Sequence, residues 1–60
     1  MPVITVDMFE GRTIEQKRAL AEAFTMSFCE IAKAAPEAVE IIFNEIPREN
    51  WAHAGKLASD

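Results

Sequence analysis

Three places in this 60-residue chain carry side chains suited to chemistry. Met1-Pro2 opens directly into a strand-like run, so Pro2 stands at the head of an ordered element. Arg12, in Glu10-Gly11-Arg12-Thr13, sits beside the positive end of an expected helix. Its guanidinium offers a fork that matches a carboxylate bidentately and can stabilise enolate charge as it develops. Trp51, after Asn50, is a large aromatic in a tail of mostly small residues; tryptophan also anchors interfaces. A Gly-rich phosphate loop, a CxxC pair, paired histidines and a Ser/His/Asp set at telling spacing are all absent. An enzyme this small must build its site from few residues, across subunit boundaries. The remaining polar or soft residues read structurally. His53 is a surface or hydrogen-bonded histidine, and Cys29 a packed small hydrophobe in mid-helix. Met8 and Met26 are packing, while Glu10, Glu15 and Lys17 serve the turn and the solvated first helical turn.

The elements that must position these residues follow from periodicity. Pro2 to Met8 reads as a strand, with Ile4, Val6 and Met8 alternating with Val3, Thr5 and Asp7. Proline is tolerated at the first strand position, where no ladder bond is lost. Glu10-Gly11-Arg12 is a turn, with Gly11 supplying conformational freedom. Thr13 and Gln16 form a capping box for a helix from Ile14 to about Lys33. Its apolar stripe is Leu20, Phe24, Ser27/Phe28 and Ile31, flanked by Ala19, Ala23 and Met26. Lys33 suits the negative end of the helix dipole, and Pro36 marks the end of the helix and the connecting loop. Val39 to Ile46 reads as a second strand whose two faces are both largely apolar, so both must be covered. The chain's one helix can cover only one of them. Strand, long helix and strand spell a right-handed parallel crossover. Beyond Pro47 the expectation is a turn around Arg48 to Trp51 followed by a short extended hairpin.

Size and composition then limit what such a chain can be. Residues 1–60 make a single domain, and a domain of this length buries only about 60% of the surface its unfolded chain exposes. One cysteine excludes an internal disulfide, and Cys29 with His53 falls short of a structural zinc set. Half the residues are hydrophobic, so self-association is the remaining source of stability. A net charge of −4 argues against a nucleic-acid partner. No apolar run reaches membrane-span length and no signal peptide opens the chain, so a cytoplasmic location is expected.

Taken together, Pro2-Val3-Ile4-Thr5-Val6, Glu10-Gly11-Arg12-Thr13-Ile14-Glu15-Gln16-Lys17 and Asn50-Trp51-Ala52-His53-Ala54-Gly55-Lys56-Leu57 carry a resemblance. The chain resembles the 4-oxalocrotonate tautomerase family, the short-chain members of the tautomerase superfamily. The resemblance covers nearly the whole chain in order. It implies an α+β fold, a β-α-β subunit with a short C-terminal hairpin, assembled as a homohexamer (a trimer of dimers). It further implies that Pro2, exposed as the amino terminus once Met1 is removed, is the general base. By the same resemblance Arg12 grips a substrate carboxylate, and Trp51, where phenylalanine is usual, makes the pocket apolar.

Elementary chemistry supports that assignment. An α-amino group titrates near 7.7–8.0. Burial against Trp51 and a nearby Arg12 would both disfavour its protonated form. The neutral amine is then ready to abstract a proton α to a carbonyl, with no cofactor and no metal. One departure from the resemblance is Glu40. Aligned with one insertion and one deletion over residues 33–38, it stands where the family's best-known members carry a second arginine. A cationic clamp becomes an anion there, which disfavours a dianionic substrate unless Arg48 or Lys56 supplies the charge. Three functions follow as expectations. The first is an isomerase moving a proton, by enol–keto exchange or a double-bond shift, in a small unsaturated 2-oxo acid. The second is a hydratase or dehalogenase on the same scaffold, with protonated proline as the acid. The third is a non-catalytic oligomeric binding protein.

Overall fold

The strand β1 spans Val3–Phe9, the helix α1 Ile14–Ala32 and the strand β2 Glu40–Ile46, followed by a hairpin of β3 (Ala52–His53) and β4 (Lys56–Leu57). This is a computed structural model, and it describes residues 2–60. β1 and β2 pair in parallel, from Val3 opposite Glu40 to Phe9 opposite Ile46. The link between them is α1, so the β-α-β crossover expected from the sequence is present. β1 sits one residue later than the alternation suggested, and β2 begins one residue later but ends at Ile46 as expected. Pro2 and Val39 fall outside the ladder, and Phe9 joins it. The pairing continues past both ends of β1: the Glu40 amide donates to the Pro2 carbonyl at 2.9 Å, and the Glu10 amide to the Ile46 carbonyl at 3.2 Å.

The capping box forms as read. Thr13 Oγ1 accepts from the Gln16 amide at 3.1 Å, and Gln16 Oε1 accepts from the Thr13 amide at 2.9 Å. Two of the orphan donors at the helix start are thereby satisfied. Gly11 turns the chain into α1 at φ 126°, a backbone conformation open essentially only to glycine. At its other end α1 stops at Lys33, whose φ of 59° and ψ of 44° place it in the left-handed region. The helix thus closes three residues before Pro36, which instead opens a 3-10 turn, Pro36–Ala38. A second such turn, Arg48–Asn50, leads into the hairpin. The hairpin pairs Ala52 with Leu57 and His53 with Lys56 around Ala54-Gly55, both at positive φ (52° and 81°). Positive φ at both central residues is the type I′ arrangement that matches strand twist.

Lys17 departs from the solvated role expected of it. Its ammonium meets a carboxylate oxygen of Glu45 at 2.7 Å, tying the first turns of α1 to the end of β2. The two side chains keep about a quarter to a third of their exposure, so the pair contributes only on the order of 0.2–1 kcal/mol.

Among the described residues none is buried. Ile4 and Val6 of β1 face Phe24, Phe28 and Ile31 of α1 across an open apolar cleft of about 370 Å³. Ile31 remains 80% exposed, and Met26, read from sequence as packing, is 69% exposed. The sheet face turned from this cleft carries Val3 and Ile42, 56% and 49% exposed, together with a hydrogen bond from Asn44 Nδ2 to Asp7 Oδ1 at 2.8 Å. None of these apolar side chains gains the roughly 1.5–3 kcal/mol that full burial contributes. The radius of gyration is 14.4 Å, against about 10 Å for a compact chain of this length. The surface of 4700 Å² compares with about 3900 Å² for a monomer of this mass. Among the described residues no helix is long and apolar enough to cross a membrane.

Candidate active site

Pro2 is half-buried and immediately precedes β1, held by the hydrogen bond that its carbonyl accepts from the Glu40 amide. That contact uses the oxygen of Pro2 and leaves its ring nitrogen out of the ladder. Removal of Met1, on which the chemistry of that nitrogen depends, lies outside the described residues. Glu40 is exposed, and its carboxylate has no ion-pair or hydrogen-bond partner among the described residues. The strand register therefore puts an unpaired anion at the Pro2 end of the sheet.

Arg12 lies at the other end of β1. It is exposed between Gly11 and the N-cap Thr13, and lines an open groove of about 470 Å³ with Gln16, Ala19, Leu20 and Ala23. Gly11 and the capping box fix the turn that projects it. Its guanidinium makes no ion pair among the described residues.

Trp51 belongs to the same end. Its ring meets Phe9, the last residue of β1, at a centroid distance of 4.6 Å and a tilt of 47°. Its backbone is held on both sides: its amide donates to the Arg48 carbonyl at 3.3 Å, and its carbonyl accepts from the Ala58 amide at 2.8 Å. The hairpin is thus anchored around the tryptophan. Arg48 completes the cluster, its guanidinium carbon 4.1 Å from the centre of the Phe9 ring.

The structure therefore brings Trp51 to the Arg12 end of the sheet and not to Pro2. The distance along β1 from Pro2 to Phe9 is about 23 Å at roughly 3.3 Å per residue. A single chain does not give Pro2 the tryptophan wall and neighbouring guanidinium considered above. Those groups can meet it only from another copy. Sequence reasoning named the three residues but missed Phe9 as the platform of the cluster. No local signal marks it, because its contacts with Trp51 and Arg48 are tertiary. His53 is exposed in the hairpin and Cys29 is a half-buried free thiol in α1. Among the described residues, no three His, Cys, Asp or Glu side chains are grouped as a metal site.

Comparison with known proteins identifies the class to which this short parallel β-α-β unit with its aromatic-anchored hairpin belongs. The profile of the family described as Tautomerase enzyme matches residues 2–60. The 2-hydroxymuconate tautomerase of Bacillus subtilis is 43% identical over 60 residues, covering 100% of this chain and 97% of its own length. The crystal structure of YwhB, a homologue of 4-oxalocrotonate tautomerase, superposes with a TM-score of 0.95 at 42% identity, covering 98% of this chain and 97% of that one. A heterohexameric 4-oxalocrotonate tautomerase from Chloroflexus aurantiacus superposes with a TM-score of 0.92 at 28% identity, covering 100% of this chain and 97% of that one. The chain belongs to the tautomerase family, among the 4-oxalocrotonate tautomerases, and is an isomerase.

Proposed function

We propose that this chain catalyses proton transfer, by enol–keto exchange or a double-bond shift, in a small unsaturated 2-oxo acid, with Pro2 as the general base. Met1 is removed, and the freed secondary amine takes a proton from one position of the substrate. The resulting dienolate spreads its charge over the conjugated system, and the protonated proline returns the proton at another carbon. Atoms and oxidation state are conserved. Arg12 holds the substrate carboxylate and favours the developing enolate charge. Trp51 excludes water, which strengthens that interaction and favours the neutral amine. A proton-transfer group works best with a pKa near the operating pH, where an α-amino group already lies.

The observation that carries this reading is the separation of Pro2 from Arg12 and Trp51 along β1, in a chain with no buried residue among those described. Assembly answers both features at once, covering the apolar surfaces and bringing one copy's Pro2 to another copy's Arg12 and Trp51. We take the assembly to be a homohexamer, a trimer of dimers, working in the cytoplasm as one domain.

A second reading rests on Glu40, an unpaired carboxylate at the Pro2 end of the sheet. There it can activate water while a protonated Pro2 serves as the acid, giving a hydratase or dehalogenase. One experiment separates the two: a panel of enol acids and haloacrylates assayed with the parent and with Pro2→Ala across pH. A base must be unprotonated, so isomerase kcat/KM falls as pH drops through the amine pKa. An acid must be protonated, so hydratase activity falls as pH rises through it. Enol-acid turnover by Pro2→Ala at the parent's rate would remove Pro2 from the mechanism.

A further inference from the structure

Arg48 has a geometry that the roles of Pro2, Arg12 and Trp51 leave unexplained. Its guanidinium carbon lies 4.1 Å from the centre of the Phe9 ring, and Phe9 in turn contacts Trp51 at 4.6 Å. The 3-10 turn Arg48–Asn50 closes with the Trp51 amide donating to the Arg48 carbonyl, so arginine and tryptophan are fixed one turn apart. A guanidinium over an aromatic ring gains a cation–π attraction through its face and leaves its in-plane N–H donors free. Among the described residues none of those donors is engaged in an ion pair or hydrogen bond. The side chain has therefore been given a platform and no acceptor.

Position strengthens the case. The Glu10 amide bonds to the Ile46 carbonyl, and Arg12 and Arg48 each lie two residues beyond this pair, so both cations leave the same end of the sheet. The unpaired carboxylate of Glu40 marks the opposite end. A chain of net charge −4 thus carries, at one end of its sheet, two guanidiniums unpaired among the described residues and two contacting aromatic rings, which is the chemistry of a site for a small conjugated carboxylate. Ordering a free arginine side chain costs rotamer freedom, and the Phe9 platform removes part of that cost before a ligand arrives.

We propose that Arg48, held over Phe9 beside Trp51, is a second substrate-binding arginine whose in-plane fork grips a carboxylate of the bound acid. It rests on the proposed placing of the site at the Trp51 end and adds to it the residue that orients the acid group.

Trp51 is the chain's only tryptophan, so its fluorescence reports binding at this cluster directly, without turnover. Titrating the assembled, Met1-processed protein with fumarate tests the proposal. Arg48→Gln is expected to weaken binding about 10- to 100-fold, as for loss of hydrogen bonds to a charged group. Arg48→Lys restores only a small part of this, because an ammonium keeps the charge and loses the fork. Lys56→Gln removes the same charge from the neighbouring hairpin and leaves the affinity at the parent value. Phe9→Leu, with Arg48 intact, weakens binding by a smaller factor. Parent-like affinity in an Arg48→Gln protein of unchanged assembled mass would overturn the proposal, as would equal losses in Arg48→Gln and Lys56→Gln. The Pro2→Ala variant keeps this outcome distinct from the mechanism. Arg48-dependent binding without proline-dependent turnover would sink the role of Pro2 as base alone, and the reverse would sink only the role of Arg48.

Discussion

At the scale of single residues, the site is specified by a few side chains whose local settings are visible in one chain and whose meeting is not. Arg12 is aimed by the positive-φ turn at Gly11 and by the capping box, and its fork is unspent among the described residues. Arg12→Ala is therefore expected to lower kcat/KM for acid substrates by roughly 10- to 1000-fold, as for loss of a charged contact. Unchanged kcat/KM for every acid turned over would make Arg12 a bystander. Glu40 gives a second test. Its amide donates to the Pro2 carbonyl just beyond the ladder, while its side chain is exposed and unpaired among the described residues, so substitution leaves the strand pairing in place. Glu40→Arg replaces an anion with a cation at the Pro2 end and is expected to raise turnover of dicarboxylate enols above the parent. Steady-state kinetics on a correctly assembled variant checks this, and the absence of a gain would show that the Glu40 side chain does not face the bound acid.

At the scale of elements, β1, α1, β2 and the hairpin were legible because each carries its own local signal. Alternation in residues 2–8, Thr13 with Gln16, and the two-faced apolar run of residues 39–46 all speak to the backbone nearby. Their ends were less legible. α1 closes at Lys33, about where the pattern put its end, but it does so in the left-handed region, a conformation for which lysine gives no sequence signal. The hairpin turn is similar, since Ala54 takes a positive φ normally filled by Asn, Asp or Gly. A strained alanine there points to a simple gain. Ala54→Asn is expected to raise stability by about 1 kcal/mol, comparable to the cost of the left-handed conformation for an ordinary residue. Thermal unfolding checks it, and a midpoint at or below the parent's would show that the turn carries no such strain. The Trp51 cluster was the least legible part of the site. Phe9, Arg48 and Trp51 are joined by tertiary packing between a strand end and a 3-10 turn, and no spacing in the sequence encodes that contact.

At the scale of the whole molecule, composition and geometry make the same demand. Half of the residues are hydrophobic, none of the described ones is buried, and both the α1–sheet cleft and the opposite sheet face present apolar side chains to solvent. Light scattering at micromolar concentration is expected to give the mass of six chains, and a monomeric mass would contradict the shared site as well as the assembly. The central claim, that a free Pro2 amine is the base, has a sharper test in the state of the amino terminus. Retaining Met1 turns the proline nitrogen into a tertiary amide, which has no basic lone pair and no proton to give. The fold does not need that nitrogen, because strand pairing at Pro2 runs through its carbonyl, which accepts from the Glu40 amide at 2.9 Å, and proline has no N–H to lose. A Met1-retaining protein should therefore keep its hexameric mass and lose its turnover, while the processed protein keeps both. Intact-mass spectrometry paired with an activity assay on the same samples makes the measurement: turnover is expected to track the fraction beginning at Pro2, and full activity from a homogeneous Met1-bearing hexamer would contradict the account.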